Sequence, residues 1–152
     1  MQITKNFTLA ELTKTSIRGI DNTPDDVQLE ALKTLTENVL QPLRDKIGPI
    51  MINSGFRNEK VNKKIGGAST SQHTKGEAAD IETPAMANFE LAKYIIANFD
   101  FDQLILEFAS KDDPRAGWVH VSYKKTGNRK QVLLAQTIKG KTVYTNGLPD
   151  WK

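Results

Sequence analysis

Residues 71–81 read SQHTKGEAADI, and the reading of the whole chain turns on them. They join His73, one of only two histidines, to Asp80 through small residues and a glycine. The segment AADIET (78–83) has the makings of a short strand, yet it sets an acid between Ala79 and Ile81. A buried carboxylate is costly unless it is paired or bound to a cation. Strand alternation gathers Ala78, Asp80 and Glu82 on one face. Alone, these residues fit an exposed loop histidine and an ion-paired acid as well as they fit a metal site.

The second histidine sits in WVHVS (118–122). In a strand, Val119 and Val121 face one way, as core, while Trp118, His120 and Ser122 face the other. His120 can then line a cleft, or bond a backbone carbonyl as a half-buried side chain. Two imidazoles and one carboxylate suit zinc, whose catalytic sites use three protein ligands and leave one position open. The spacing His-x6-Asp…His is only moderately specific.

Around these motifs the chain organises as α+β. FTLAEL (7–12) reads as a short helix with Thr8 as N-cap and Glu11 three residues on. TPDDVQLEALKTLTENVLQPLRDKIG (23–48) carries Val27, Leu29, Leu32, Leu35, Val39, Leu40 and Leu43 mostly three or four apart, an amphipathic helix. Thr23 before Pro24 is its expected start and Gly48 its stop, with Pro42 bending or interrupting it. PIMINSGFR (49–57) reads as a short buried strand, NEKVNKKIGG (58–67) as a short helix closed by glycines, and 68–77 as a loop. A helix is expected over 84–98, opened by Pro84. DQLILEF (102–108), GWVHVSY (117–123), KQVLLAQ (130–136) and KTVYT (141–145) read as strands. Helices crowd the first two-thirds and strands the last third, which predicts a largely antiparallel central sheet flanked by helices. With no repeat, linker or low-complexity tract, residues 1–152 are read as one domain.

SGFR (54–57), SQHTKGEAADI (71–81) and WVHVS (118–122) together resemble peptidase family M15, the zinc D-Ala-D-Ala carboxypeptidases and endopeptidases, and most of all its compact phage-type members. The likeness spans roughly residues 7–123. Ser71, His73, Gly76, Ala78, Asp80, Ile81, Trp118 and His120 fit the family pattern S-x-H-x-x-G-x-A-x-D-[IL] … W-x-H. The resemblance implies a Hedgehog/DD-peptidase-like fold, one Zn2+ ion held by His73, Asp80 and His120, and a peptidoglycan peptide as substrate. It also implies that Arg57 holds a substrate carboxylate or carbonyl near the metal, and that Ser71, Gln72 and Trp118 line the cleft. An arginine offers a planar donor fork for such an oxygen.

One position departs from the family. Many members carry an acid three residues before the last histidine as general base; here it is Gly117. Glu107, an acid interrupting the apolar strand DQLILEF, is the expected substitute, and Asp113 and Asp112 in SKDDPRAG are the alternatives. Glu77 and Glu82 read as solvated or as supports of Asp80. A rival expectation is a catalytically silent, zinc-containing wall-binding module.

Composition narrows the setting. Hydrophobic residues make up 38% and charged residues 26%, ordinary for a folded soluble domain. No apolar run approaches the ~20 residues of a membrane span. The absence of cysteine removes disulfides, thiolate ligands and a cysteine nucleophile. The start MQITKNFTLAEL lacks the features of a secretory leader. The expected location is therefore a host cytoplasm until lysis, or a virion, with action at the cell wall. A net charge of +3 favours an anionic partner such as wall polymer, while the cluster YKKTGNRK (123–130) reads as a solvated loop rather than a nucleic-acid site. The expected state is a monomer.

Overall fold

The computed structural model describes residues 1–151. Its centre is a six-stranded sheet in the order β3-β4-β6-β5-β7-β8. The strands are β3 (Met51–Ser54), β4 (Ala78–Glu82), β5 (Gln103–Glu107), β6 (Trp118–Ser122), β7 (Gln131–Ile138) and β8 (Lys141–Asn146). Every pairing is antiparallel except β5 with β7, which is parallel. A small ribbon of β1 (Gln2–Thr4) and β2 (Phe7–Thr8), not anticipated from the sequence, precedes the helices.

The sheet has two unlike faces because its central strands alternate. Ala79, Ile81, Leu104, Leu106, Val119, Val121 and Leu134 lie on one face and belong to the main apolar core. The helical side of that core comes from Leu12, Leu32, Leu35, Val39, Leu40, Leu43, Leu91 and Ile95, all fully buried. The helices are α1 (Leu9–Thr13), α2 (Asp26–Leu35), α3 (Gln41–Ile47), α4 (Glu59–Lys64) and α5 (Asn88–Asn98). The opposite face of the sheet carries the polar residues.

Local chemistry sets the element ends. Thr8 caps α1 by accepting from the Glu11 amide, as expected. The long amphipathic segment starts later than Thr23. Asp25 is the N-cap, in a capping box with Gln28: its carboxylate accepts from the Gln28 amide while the Gln28 side-chain oxygen accepts from the Asp25 amide. Val27 consequently lies on the solvent side, 79% exposed, rather than in the apolar stripe. A π-helical turn, Thr36–Leu40, joins α2 to α3 and absorbs Pro42, which has no amide to donate and sits at the first turn of α3.

Three further expectations are corrected. The helix over 84–98 begins only at Asn88, because Thr83 and residues 84–87 form a turn in which the Thr83 hydroxyl accepts from the Ala85 amide. β3 is an edge strand, so Ile52 is buried while Met51 is 46% exposed. Within the loop 68–77, Gln72–Lys75 forms a 3-10 turn capped by the Ser71 hydroxyl.

Candidate metal centre and cleft

His73 and Asp80 are brought together by the turn between them. Gly76 ends the 3-10 turn at φ +75, and a Cβ there would fall 2.4 Å from the Gln28 carbonyl oxygen of α2. Only glycine combines that left-handed backbone with that approach. The chain then enters β4, where Asp80 stands directly opposite His120 of β6. Both histidines and the aspartate are buried, at 2%, 7% and 8% exposure.

The donor atoms converge on one oxygen. His73 Nε2 and His120 Nδ1 each lie 3.2 Å from Asp80 Oδ1, and one ligand atom from each of the three residues lies within 4.8 Å of the others. The far side of His73 is fixed: its Nδ1 is 2.7 Å from the Gly55 carbonyl, which can only accept, so Nδ1 carries the proton. In the neutral ring the Nε2 lone pair then faces a carboxylate oxygen, an arrangement that calls for a cation between them. The same carbonyl–histidine contact is a usual support of metal-ligating imidazoles. Burial alone would raise the Asp80 carboxyl, but the imidazoles of His73 and His120 outweigh it and hold the group well below the usual carboxylate range. These residues fit one zinc ion by donor type, number and protonation.

Register carries the site across the sheet. Asp80, His120, Ile105 and Leu133 form one row on the polar face, and Trp118, Glu107, Ala135 and Tyr144 form the next. All but Ala135 line a cleft of about 610 Å³, together with Arg57, Ser71, Gln72 and His73. Glu107 therefore reaches the same cleft as the histidines. Its Oε2 accepts from the Trp118 indole N–H. Burial, reinforced by Asp80, pushes the Glu107 carboxyl up, against the opposing pull of His120, Trp118 and Arg57. The next residue, Phe108, is held at φ 55, an uncommon conformation for an aromatic residue and a mark of local strain.

Arg57 follows β3 and anchors its amide on the His73 carbonyl at 3.1 Å. Its guanidinium is lowered by burial and drawn back up by Asp80 and Glu107, and its Nε is buried without a partner among the described residues. A half-buried cation with an unmet donor, beside two carboxylates, is available to an incoming oxygen.

Gly117 answers why no acid precedes the last histidine by three residues. It sits at φ +71, and a Cβ would fall 1.9 Å from the Glu107 carbonyl oxygen and 2.6 Å from the Phe108 carbonyl carbon. No side chain fits between these strands. Asp112 and Asp113 are exposed and lie outside the cleft, with Asp113 capping its own loop by accepting from the Arg115 amide. Glu77 is half-buried rather than solvated, its carboxyl raised by burial. Glu82 accepts from Asn53 and Asn88, and Asn88 also holds the Ala116 and Gly117 carbonyls just before Trp118.

Sequence reading missed the network behind Gln72. Asp102, with a fully buried side chain, accepts from Gln72 Nε2 at 2.8 Å and from the Arg129 Nε and Nη2, with Lys124 at 3.9 Å. So two cations of YKKTGNRK serve this acid rather than solvent alone. Arg129 above all holds the Asp102 carboxyl down, to about 2. An acid just ahead of an apolar strand was the available signal, but its partners are 27 and 30 residues away.

Comparison with known proteins agrees with this geometry. A zinc D-Ala-D-Ala carboxypeptidase of Streptomyces albus G is 37% identical over 78 residues, 50% of this chain and 31% of that relative. The chain thus matches less than a third of that protein's length. The Peptidase M15 family model matches residues 5–122, a span that contains Arg57, all three donors and Glu107. On that match, the chain belongs to the peptidase M15 family.

Proposed function

We propose that this chain is a zinc-dependent metallopeptidase that hydrolyses a peptide bond in the stem or crosslink of bacterial peptidoglycan, acting as one domain. The observation that carries the reading is the convergence of His73 Nε2 and His120 Nδ1 on Asp80 Oδ1, with Glu107 in the next row of the same face. The name of the Streptomyces relative supports a peptide ending in D-Ala-D-Ala as the first substrate to try.

Zinc held by His73, Asp80 and His120 would supply Lewis-acid polarisation and a water acidified toward a pKa near ~7. Glu107 is the proton carrier. Its Oε2 is occupied by Trp118, which leaves Oε1 to take a proton from water and pass it to the leaving amine. Burial raises its affinity for that proton, as suits a base that must also give it back. Arg57 orients the substrate through a carboxylate or the carbonyl oxygen on which charge develops. Ser71 and Gln72 form the adjoining wall, with Gln72 held by Asp102. The basic surface favours approach to anionic wall polymers, and a phage or prophage wall hydrolase is the setting we infer.

The test is metal content together with mass spectrometry of products from defined muropeptides. Wild type is expected to hold one zinc per chain and to release a single product pair. His73→Ala, Asp80→Ala and His120→Ala are expected to lose both properties. A wild type free of zinc, or three variants that still cleave, would refute the reading. Zinc uptake and wall binding without any product would favour a binding module instead.

A further inference from the structure

Beyond the reacting centre, the polar face of the sheet continues through β5 to the β7–β8 hairpin. The family match stops at residue 122, whereas the hairpin occupies Gln131–Asn146. Leu133 and Tyr144 nonetheless line the same cleft as the three donors. We propose that this hairpin forms a remote substrate subsite, in which Leu133 and Tyr144 grip an extended peptide several residues from the bond that is cleaved. The inference deepens the peptidase reading and rests on it for the identity of the ligand.

The floor between the centre and the hairpin is continuous. Ile105 stands in register between His120 and Leu133 and is buried to 7% exposure. In the neighbouring row, Ala135 separates Glu107 from Tyr144. Ala135 itself is fully buried beneath that row, so the cleft surface there is made by Glu107 and Tyr144. Tyr144 lines the cleft from β8, the last strand of the sheet. It is 54% exposed, so its ring is not committed to the core. The tyrosine is close enough to Glu107 for that carboxylate, after burial, to raise its phenol. On the other side, the Gln103 amide, fixed by Gln131 Oε1 at 2.8 Å, gives the cleft a polar rim. An apolar floor, an aromatic wall and an amide rim match an extended peptide with an aliphatic side chain.

Spacing sets the subsite's reach. Strands lie ~4.8 Å apart, so Leu133 is roughly 10 Å from His120 and Tyr144 about 14 Å from Trp118. At ~3.3 Å per residue, those distances correspond to a group roughly three or four residues from the reacting carbonyl. A dipeptide cannot reach it, and a stem pentapeptide can.

The experiment measures calorimetric binding of two probes to the zinc-loaded protein in a Glu107→Gln background. The probes are acetyl-D-Ala-D-Ala and the pentapeptide L-Ala-γ-D-Glu-L-Lys-D-Ala-D-Ala. Tyr144→Ala is expected to weaken the pentapeptide fivefold or more while moving the dipeptide less than twofold. Tyr144→Phe is expected to keep the preference, since the ring makes the contact. Thermal midpoints of both variants check that the hairpin still folds. Equal pentapeptide affinity with and without the ring, equal loss for both probes, or no pentapeptide binding at all would overturn the subsite. Turnover by the unsubstituted protein is read separately: pentapeptide bound through Tyr144 but never cleaved removes the peptidase reading and leaves the subsite standing.

Discussion

Replacing Gly117 with alanine isolates the close packing that displaced the acid from this position. Two costs are expected. The first is conformational, because φ +71 is left-handed and costs a residue with a Cβ ~1–2 kcal/mol. The second is steric. The new Cβ would fall 1.9 Å from the Glu107 carbonyl oxygen, 2.6 Å from the Phe108 carbonyl carbon and 2.7 Å from the Ala109 amide nitrogen, all backbone atoms that no rotamer change can remove. Overpacking of that kind costs about 1–3 kcal/mol, so the total is about 2–5 kcal/mol. Gly127→Ala is the matched control, since Gly127 has φ +76 with nothing within 4 Å of its added Cβ. It should lose only the conformational part. For a chain of this size 1 kcal/mol shifts the midpoint by roughly 2–4 °C, so Gly117→Ala should melt roughly 4–20 °C below wild type and clearly below Gly127→Ala. Circular dichroism melts of the three proteins measure it. If the two alanine variants melt together, the close approach of β6 to the Glu107 carbonyl is refuted, and with it the reason given for the missing acid. The same geometry predicts that Gly117→Glu destabilises the protein without supplying a working base.

Glu107→Gln should keep its zinc, measured by metal analysis, and lose about 10²–10⁴-fold in kcat, the usual share of a general acid/base; near-normal turnover excludes the assignment. Arg57→Lys keeps the charge but not the planar fork, so KM or kcat should worsen measurably in steady-state kinetics, and unaltered constants would mean that Arg57 is structural. Asp102 makes an acid-stability prediction. Its folded value, about 2, lies below the ordinary 3.8, so the carboxylate form is favoured by folding and its contribution is present above the ordinary value. The difference corresponds to roughly 2 kcal/mol, lost as pH falls from about 4 through 2. Denaturant titrations across that range should show this slope in wild type and not in Asp102→Asn, and identical pH dependence would refute the Asp102–Arg129 ion pair.

The helices were legible where periodicity and caps agree, as at Thr8 and along Leu32–Leu43. They were misread where two capping residues compete, as Thr23 does with Asp25. β3 was misread because an edge strand and a central strand differ in their neighbours, not in their own residues. The candidate donor set was legible once SGFR, SQHTKGEAADI and WVHVS were read together as resembling the M15 pattern; alone, the acid between Ala79 and Ile81 left an ion pair and a metal site equally open. Glu107 stood out as an acid inside the apolar strand DQLILEF, unlike Asp112 and Asp113 in a polar loop, but only the register of β5 against β6 puts it in the cleft with the donors.

The sequence by itself determined the alternation that gives the sheet one apolar and one polar face, and its resemblance to the M15 pattern named three candidate donors, Asp80 and His120 on the polar face and His73 in the turn before it. Only the tertiary structure decided that Glu107 shares their cleft, that Gly117 has no room for a side chain, that Asp102 steadies Gln72, and that Leu133 and Tyr144 extend the floor. Each of these depends on strand order and register. Side-chain period is a property of one segment, whereas register is a contact between segments far apart in the chain, and it is fixed by how the whole core packs.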